Sequence, residues 1–485
     1  MDLKAEMALP DDALANVLRR LAPRCLAASR SVCKAWRSIV DARQLLLAHL
    51  LPHSLRGIFI NYIDYRRPHL LARPPSKTYP AVDGNLEFLP YYTQGFNSIL
   101  DHCNGLLLYG NGWMYCVVNP ATRQWERLPR MDAHDYVPYL VFDPAVSCHY
   151  EVLLFHCEPE KPKKFDLIEF FSLLDDVSIV EGTVEDESQD EPVKRPPEQS
   201  IEDLHSLMEW PPWQWTIPVF SSITCQWQER SFVRQGEAVR SMTDVQLDTV
   251  QPTVLRGARW RYGLYWRGAL YVHCRGAFVT RLSLSDGKYQ VINTPVDVEE
   301  SKQARPYLGK SERGVYFATI QDEYKLRFWN LNESSGHLDW VLKHNIQLDV
   351  SGLCAAMHFY HHENNGPRIL EGDNDGGNNI ALLEEDTEWN SDDDNIMNFN
   401  QGGFEDHYSC VSFLGFHPYK EVVFLELSFR GVAYHLNSSK VQYLGKLRPK
   451  DYYQAYTNGI YESFMYTPCM VGELSEIPPY NVCQD

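Results

Sequence analysis

Residues 9–40 read Leu9-Pro10-Asp11-Asp12, ALANVLRRL, Ala22-Pro23-Arg24-Cys25 and LAASRSVCKAWRSIV. Asp11 or Asp12 is placed to cap a first helix, with Pro10 just outside it. Leu14, Val17, Leu18 and Leu21 follow at helical spacing and make one apolar stripe. Pro23 ends that helix. Leu26, Val32, Trp36 and Ile39 carry the apolar pattern through two more short helices. A Leu-rich fourth helix is expected from Asp41 to about Leu55, linking this head to the rest of the chain. A helical unit of about 45 residues is marginal by itself. Exposed Leu and Pro in such a unit point to a partner that covers them.

After Gly57 the pattern changes. Helical periodicity fades, and short β-rich runs stand between Gly, Pro, Asn and Asp: Gly105-LLLY, Tyr115-CVV, Glu151-VLLF, Gly268-ALYV, Gly314-VYFA and Glu421-VVFLEL. This is an all-β signature. A spacing recurs within it, in which a small polar residue ends a strand and an aromatic follows six positions later. Asn119 and Trp125, Ser221 and Trp227, Ser283 and Tyr289, and Asn437 and Tyr443 fit it, and Asn330 with Trp340 is a longer-turned version. Recurring four-stranded units that cannot bury both faces alone predict a β-propeller of six to eight blades.

At 485 residues the chain is long enough for two or more domains. The expected division is a helical head and linker at 1–57, the propeller at 58–475 and a tail at 476–485. Two polar insertions, at 158–208 and 361–407, bury too little apolar surface to offset ordering entropy and are expected to be disordered. From Glu371 to Asp406 there are twelve acidic residues and no Lys or Arg.

The balance of 45 basic against 64 acidic residues gives a net charge of −19, the opposite of a nucleic-acid binder's footprint. Residues 1–56 depart from that balance, with nine Lys or Arg against five Asp or Glu. No apolar run reaches the roughly 20 residues of a membrane span, and the N-terminus has no secretory pattern. Twelve cysteines stand singly without a CxxC. They are read as reduced thiols, which places the protein in cytoplasm or nucleus.

Nothing in the sequence supports catalysis. It has no GxSxG elbow, Walker loop, GxGxxG or HExxH. His358, His361 and His362 lack further convincing metal ligands, and the run SDDDN lacks calcium-loop spacing, so no metal or cofactor is expected. The aromatic groups Tyr91-Tyr92, Trp210 with Trp213 and Trp215, and Tyr452-Tyr453 with Tyr456 are candidate target contacts. The substrate-binding residues stay unassigned.

Residues 9–40 resemble the F-box, the module that docks a receptor onto the Skp-family adaptor of a cullin ubiquitin ligase. The matching positions are Leu9, Pro10, Leu14, Val17, Leu18, Leu21, Pro23, Leu26, Val32, Cys33, Trp36 and Ile39. The resemblance implies that this set serves adaptor binding, with Leu9, Pro10 and neighbouring apolar residues facing the adaptor. Trp36 and Ile39 then help to form the core or its edge. The remainder resembles the F-box-associated β-propeller region of plant F-box proteins, through Asp101-HCNGLLL, Val118-NPATRQW, Phe142-DPA and Phe416-HP. The family usually has Ser where His102 stands. Turn geometry and blade packing account for most of these phrases. The resemblance implies a non-catalytic substrate receptor, joined through the adaptor to cullin and RING subunits, with an unknown protein target. The alternative is an F-box scaffold, or a competitor for adaptor, with no degradation target.

Overall fold

The structure is a computed structural model. In the head it describes residues 11–21, 25–26, 29, 32–43 and 45. In the body it describes 54–63, 67–72, 82–89, 98–110, 114–131, 136–156, 209–238, 240–241, 245, 262–301, 304–322, 324–333, 337–351, 353, 368–370, 411–449, 459–470 and 474.

The head contains helices α1 (Asp11–Leu18) and α2 (Lys34–Ala42), with Cys25, Leu26 and Ser29 also helical. The fourth helix expected from Asp41 differs. Asp41 and Ala42 close α2 instead, and the Leu45 amide donates to the Val40 carbonyl at 3.0 Å to end it. Residues 46–53 lie outside the described residues.

Among the described residues, six four-stranded antiparallel units form the body. Strands β1 (Gly57–Tyr62) and β2 (His69–Ala72) come first and belong to a unit completed much later. Blade 1 is β3 (Ser98–Cys103), β4 (Leu106–Gly110), β5 (Tyr115–Asn119) and β6 (Gln124–Arg127). Blade 2 begins with β7 (Tyr136–Phe142) and β8 (Tyr150–His156). The short β9 (Glu209–Trp210) follows, then β10 (Gln214–Ser221) and β11 (Gln226–Gln235), which complete blade 2. The short β12 (Arg240–Ser241) pairs with β9. Blade 3 is β13 (Gly263–Trp266), β14 (Ala269–Cys274), β15 (Phe278–Ser283) and β16 (Lys288–Asn293). A short helix, α3 (Val298–Ser301), follows, its Glu300 amide capped by the Asp297 carboxylate at 2.8 Å.

Blade 4 is β17 (Ala304–Ser311), β18 (Gly314–Gln321), β19 (Lys325–Asn332) and β20 (Asp339–Gln347). Next comes β21 (Arg368–Leu370). Blade 5 is β22 (Val411–Phe416), β23 (Val422–Leu427), β24 (Arg430–His435) and β25 (Val441–Lys446). The last strand is β26 (Ile460–Tyr466), and blade 6 has the order β21-β2-β1-β26. Outer strands β11 and β16 also pair in parallel, Val233–Gln235 against Lys288–Gln290, joining blades 2 and 3 into one eight-stranded sheet.

The units form a closed ring. Their innermost strands are neighbours in turn: β3 with β7, β7 with β13, β13 with β17, β17 with β22 and β22 with β26. Blade 6 returns to blade 1 through Asn61, whose side chain donates to the Ile99 carbonyl at 2.7 Å and accepts from the Ile99 amide at 3.2 Å. Six apolar clusters fill the six seams. Alternation along a strand feeds two of them at once. On β1, Ile58 and Ile60 enter the seam with blade 5, while Phe59 enters the seam with blade 1. Side chains filling both faces make a strand read as a continuous apolar run. That is why β4, β14, β18 and β23 were so visible: each is the second strand of its blade and buried along nearly its whole length.

The polar-then-aromatic spacing is the hairpin between third and fourth strands. Trp125 pairs with Val118, Trp227 with Phe220, Tyr289 with Leu282 and Trp340 with Leu331. Two of these aromatics also tie blades together. The Trp227 indole donates to the Pro129 carbonyl at 3.0 Å, and the Trp340 indole to the Asn293 carbonyl at 2.9 Å. Gly105 illustrates how closely the ring is drawn together. At φ +95° it sits where a Cβ would lie 2.5 Å from the Cys469 Cβ, so only glycine lets blade 1 close on the segment after β26.

The insertion expected at 361–407 is narrower than the sequence suggested. Its Arg368–Leu370 forms β21, pairing with Leu70–Ala72 on the outer edge of blade 6. The remainder of that stretch, and all of 158–208, lies outside the described residues.

Candidate adaptor-docking surface

The head has a core of its own. Ala15, Leu18, Leu26, Ile39, Val40 and Leu45 are buried together, with Leu14, Leu21 and Trp36 packed half-buried around them. Among the described residues, this cluster shares no member with the six blade seams. Spacing on α1 explains the partition. Leu14 and Leu18 are four apart and face inward, whereas Val17 is rotated out and stays 54% exposed. Val32 is 63% exposed, and the Cys33 thiol beside it is exposed too.

The twelve positions expected to serve docking therefore divide. Val17, Val32 and Cys33 point outward. Leu18, Leu26 and Ile39 are interior and act by holding the shape. Leu14, Leu21 and Trp36 lie at the edge between the two groups. Leu9, Pro10 and Pro23 lie outside the described residues.

Arg19, Arg20, Lys34, Arg37 and Arg43 are exposed on the same small unit, facing only Asp11 and Asp12 among the acidic residues whose exposure is described. Arg43 pairs with Asp12 at 2.5 Å, joining the end of α2 to the start of α1. Both partners are well exposed, so the pair contributes little stability. The Ser29 hydroxyl donates to the Cys25 carbonyl at 2.9 Å and steadies the middle helical turn.

Among the described residues, buried polar groups of the propeller pair across seams. Tyr150 donates to Glu126 at 2.8 Å, and Tyr316 to Glu421 at 2.6 Å. Burial raises both phenols and keeps them protonated, so each donates to its carboxylate. Burial also raises the Cys103 thiol to about 12 and the Cys116 thiol to about 11, so neither is a nucleophile. His417, in the Phe416-His-Pro phrase, is buried and lowered to about 3. Its Nδ1 accepts from the Tyr419 amide at 3.0 Å. No group of three or more potential metal ligands occurs among the described residues. His358, His361 and His362 lie outside them, as do Tyr91-Tyr92, Tyr452-Tyr453 and Tyr456.

Of the Trp210 group, Trp215 is core and Trp213 is 60% exposed. The indole of Trp213 lies 5.8 Å from the Arg234 guanidinium, which is fixed by the Pro211 carbonyl and Glu209, both at 2.6 Å.

One carboxyl in the ring has a measurable consequence. Glu426, on β23, accepts from the Phe429 amide at 2.6 Å, and enclosure by the protein raises it to about 7. The Phe429 amide, Ser412 and Arg305 pull it back only partly. A carboxyl raised in the fold binds its proton more tightly there than when unfolded. Its contribution is complete below about pH 4 and is lost as pH rises through about 7. The melting temperature should therefore have a component that falls between pH 5 and 8. Glu426→Gln should remove it, and an unchanged profile in that variant would exclude Glu426 as the source.

Among the described residues, a small helical head with its own apolar core precedes a ring of four-stranded β units. The F-box domain family matches residues 7–47, so the head is an F-box domain. The chain is 28% identical over 153 residues to one F-box protein of Arabidopsis thaliana, covering 30% of this chain and 36% of that protein. It is 24% identical over 161 residues to a second, covering 30% and 50%. The aligned region thus spans about a third to a half of these relatives. The F-box domain at 7–47 and the likeness to these Arabidopsis proteins support a plant-type F-box protein.

Among solved structures, prolyl endopeptidases align over 90% of this chain and 54% of theirs, at 10% identity and a TM-score of 0.28. The designed protein Ika8 aligns over 72% and 88%, at 9% and 0.24. A post-proline cleaving enzyme from Rickettsia typhi aligns over 91% and 58%, at 7% and 0.28. Superpositions this loose bear neither on the fold nor on activity.

Proposed function

We propose that this chain is the substrate-recognition subunit of a Skp–cullin–F-box ubiquitin ligase. Residues 7–47 dock to a Skp-family adaptor and, through it, to cullin and RING subunits, while the propeller binds a target protein. The observation that carries this reading is the F-box match on a head that packs its own core and leaves Val17 and Val32 uncovered. Such side chains on a marginal unit fit an obligate partner. The basic residues around them favour encounter with an acidic surface, more through rate than affinity.

The subunit performs no chemistry in this reading. It supplies proximity, holding target lysines where other subunits transfer ubiquitin. The domain division falls near residue 57, and the working compartment is cytoplasm or nucleus. No helix among the described residues is long and apolar enough to cross a membrane.

Leu9→Ala with Pro10→Ala is expected to abolish adaptor pulldown while the propeller keeps its melting transition. Normal adaptor binding by that double variant would show that the docking face is wrongly assigned. Affinity purification with the proteasome blocked, comparing wild type with this variant, should then enrich targets on the variant freed of the ligase.

A further inference from the structure

The innermost strands of the ring all end at the same end of the axis, where, in blades 1 to 5, the turns into the second strands meet. Hydrogen bonds connect those turns directly. The Asn104 amide donates to the Phe142 carbonyl at 2.7 Å, joining blades 1 and 2. Lys310 Nζ, at the end of β17, reaches Asn104 Oδ1 at 3.5 Å and the Tyr265 carbonyl at 3.0 Å, joining blade 4 to blades 1 and 3. The Ser311 hydroxyl donates to the Lys420 carbonyl at 2.7 Å, joining blade 4 to blade 5. Because β1 pairs antiparallel with β26, the chain enters the ring from the head at this same end.

We propose that this end of the axis is a docking surface for a carboxylate-rich segment of a partner protein. Lys310 is a half-buried ammonium whose hydrogen-bond partners are two neutral oxygens. Arg267 and Arg313 project from the next turns, both exposed, and Arg267 is stacked 5.1 Å from the Trp266 ring. Among the described residues, none of these three cations has a carboxylate within ion-pair distance. Lys420 stands on the adjoining turn of blade 5.

The neighbouring acids, Asp101 included, offset this arc only in part. Asp143 accepts from the Tyr265 hydroxyl at 3.3 Å and the Ala145 amide at 3.1 Å. Glu421 is buried beneath the Tyr316 hydroxyl, and Glu312 is the exposed acid beside Arg313. A partly desolvated cation with only neutral partners gains from an incoming carboxylate. Guanidinium forks at two positions favour bidentate carboxylates. Cations spread over three adjacent blades suit a segment bearing several acids better than one small anion.

The charge distribution supports the same polarity. β8 and β20 both run away from the turn end, so the connections after them leave from the opposite end. Within those connections, residues 157–208 hold fifteen acidic and five basic residues, and 371–406 hold twelve and none. These two stretches carry −22 of a chain total of −19, leaving +3 for everything else. Both acidic stretches join the ring at the end opposite the arc, and the head joins it at the arc's end.

This inference rests on the reading of the propeller as the target-binding domain. Full-length protein should bind a fluorescent Asp/Glu-rich peptide in an anisotropy titration, more weakly as salt rises. Arg267→Glu with Arg313→Glu should weaken binding about tenfold or more. Lys343→Glu, on outer strand β20, should leave it unchanged. Equal binding by the double variant, or no binding by wild type, overturns the proposal. So does inorganic polyphosphate binding at the arc without peptide competition. Concentration-dependent self-association lost in the double variant would assign the surface to a second copy and also overturn it. Adaptor pulldown measured on the same samples separates failure of this surface from failure of the ligase reading.

Discussion

Val17→Asp combined with Val32→Asp is expected to abolish capture of a Skp-family adaptor while leaving the head folded. Both valines are exposed, so neither charge enters the core formed by Leu18, Leu26 and Ile39. In a complex each valine would bury apolar surface worth about 1.5–3 kcal/mol, and each aspartate would add a desolvation cost. Affinity should fall by about two orders of magnitude or more. Leu18→Ala provides the contrast. Leu18 is 0% exposed, and truncation there costs about 2–5 kcal/mol in a unit with little stability to spare. That variant should lose adaptor binding because the head unfolds, seen as lost helical circular dichroism and rapid proteolysis before residue 57. Wild-type adaptor affinity in the double valine variant would place docking elsewhere on the chain.

Deletion of residues 459–466 is expected to destroy the propeller's cooperative melting transition. These residues hold β26, the inner strand of blade 6, paired with β1 from the start of the body. Phe464 and Tyr466 enter the seam with blade 1, Met465 that with blade 5, and Tyr466 meets Phe59 edge-on at 5.2 Å. Without the strand, two of six seams open and one side of β1 loses its hydrogen-bond partners. Phe464→Ala, a milder change, should cost about 3–5 kcal/mol and lower the melting temperature with the fold retained. An unaltered transition in the deletion variant would mean that the ring is closed by some other element.

Legibility in the sequence followed burial. The second strands are enclosed on both faces, so their apolar runs stand out at β4, β14, β18 and β23. The outer strand β20, with one exposed edge and mixed polarity, was marked only by Trp340. Blade 6 left no continuous trace because its four strands lie at 57–72, 368–370 and 460–466. The repeat by itself is therefore compatible with six to eight blades, and the seams among the described residues number six. In the head, helical spacing identified the apolar stripe but assigned all its members one role. The division between outward Val17 and inward Leu18 needed the packing of α1 against α2.

The linear order of residues determined that a small apolar helical head precedes a β-rich body, because hydrophobic period and turn residues are local properties. It also determined where the excess negative charge lies. Only the folded ring decided that six blades close, that first and last strands share one blade, and that Lys310, Arg267, Arg313 and Lys420 meet at one end. Those are contacts between residues far apart in the chain, and their energy comes from seams that exist only once all six units have packed.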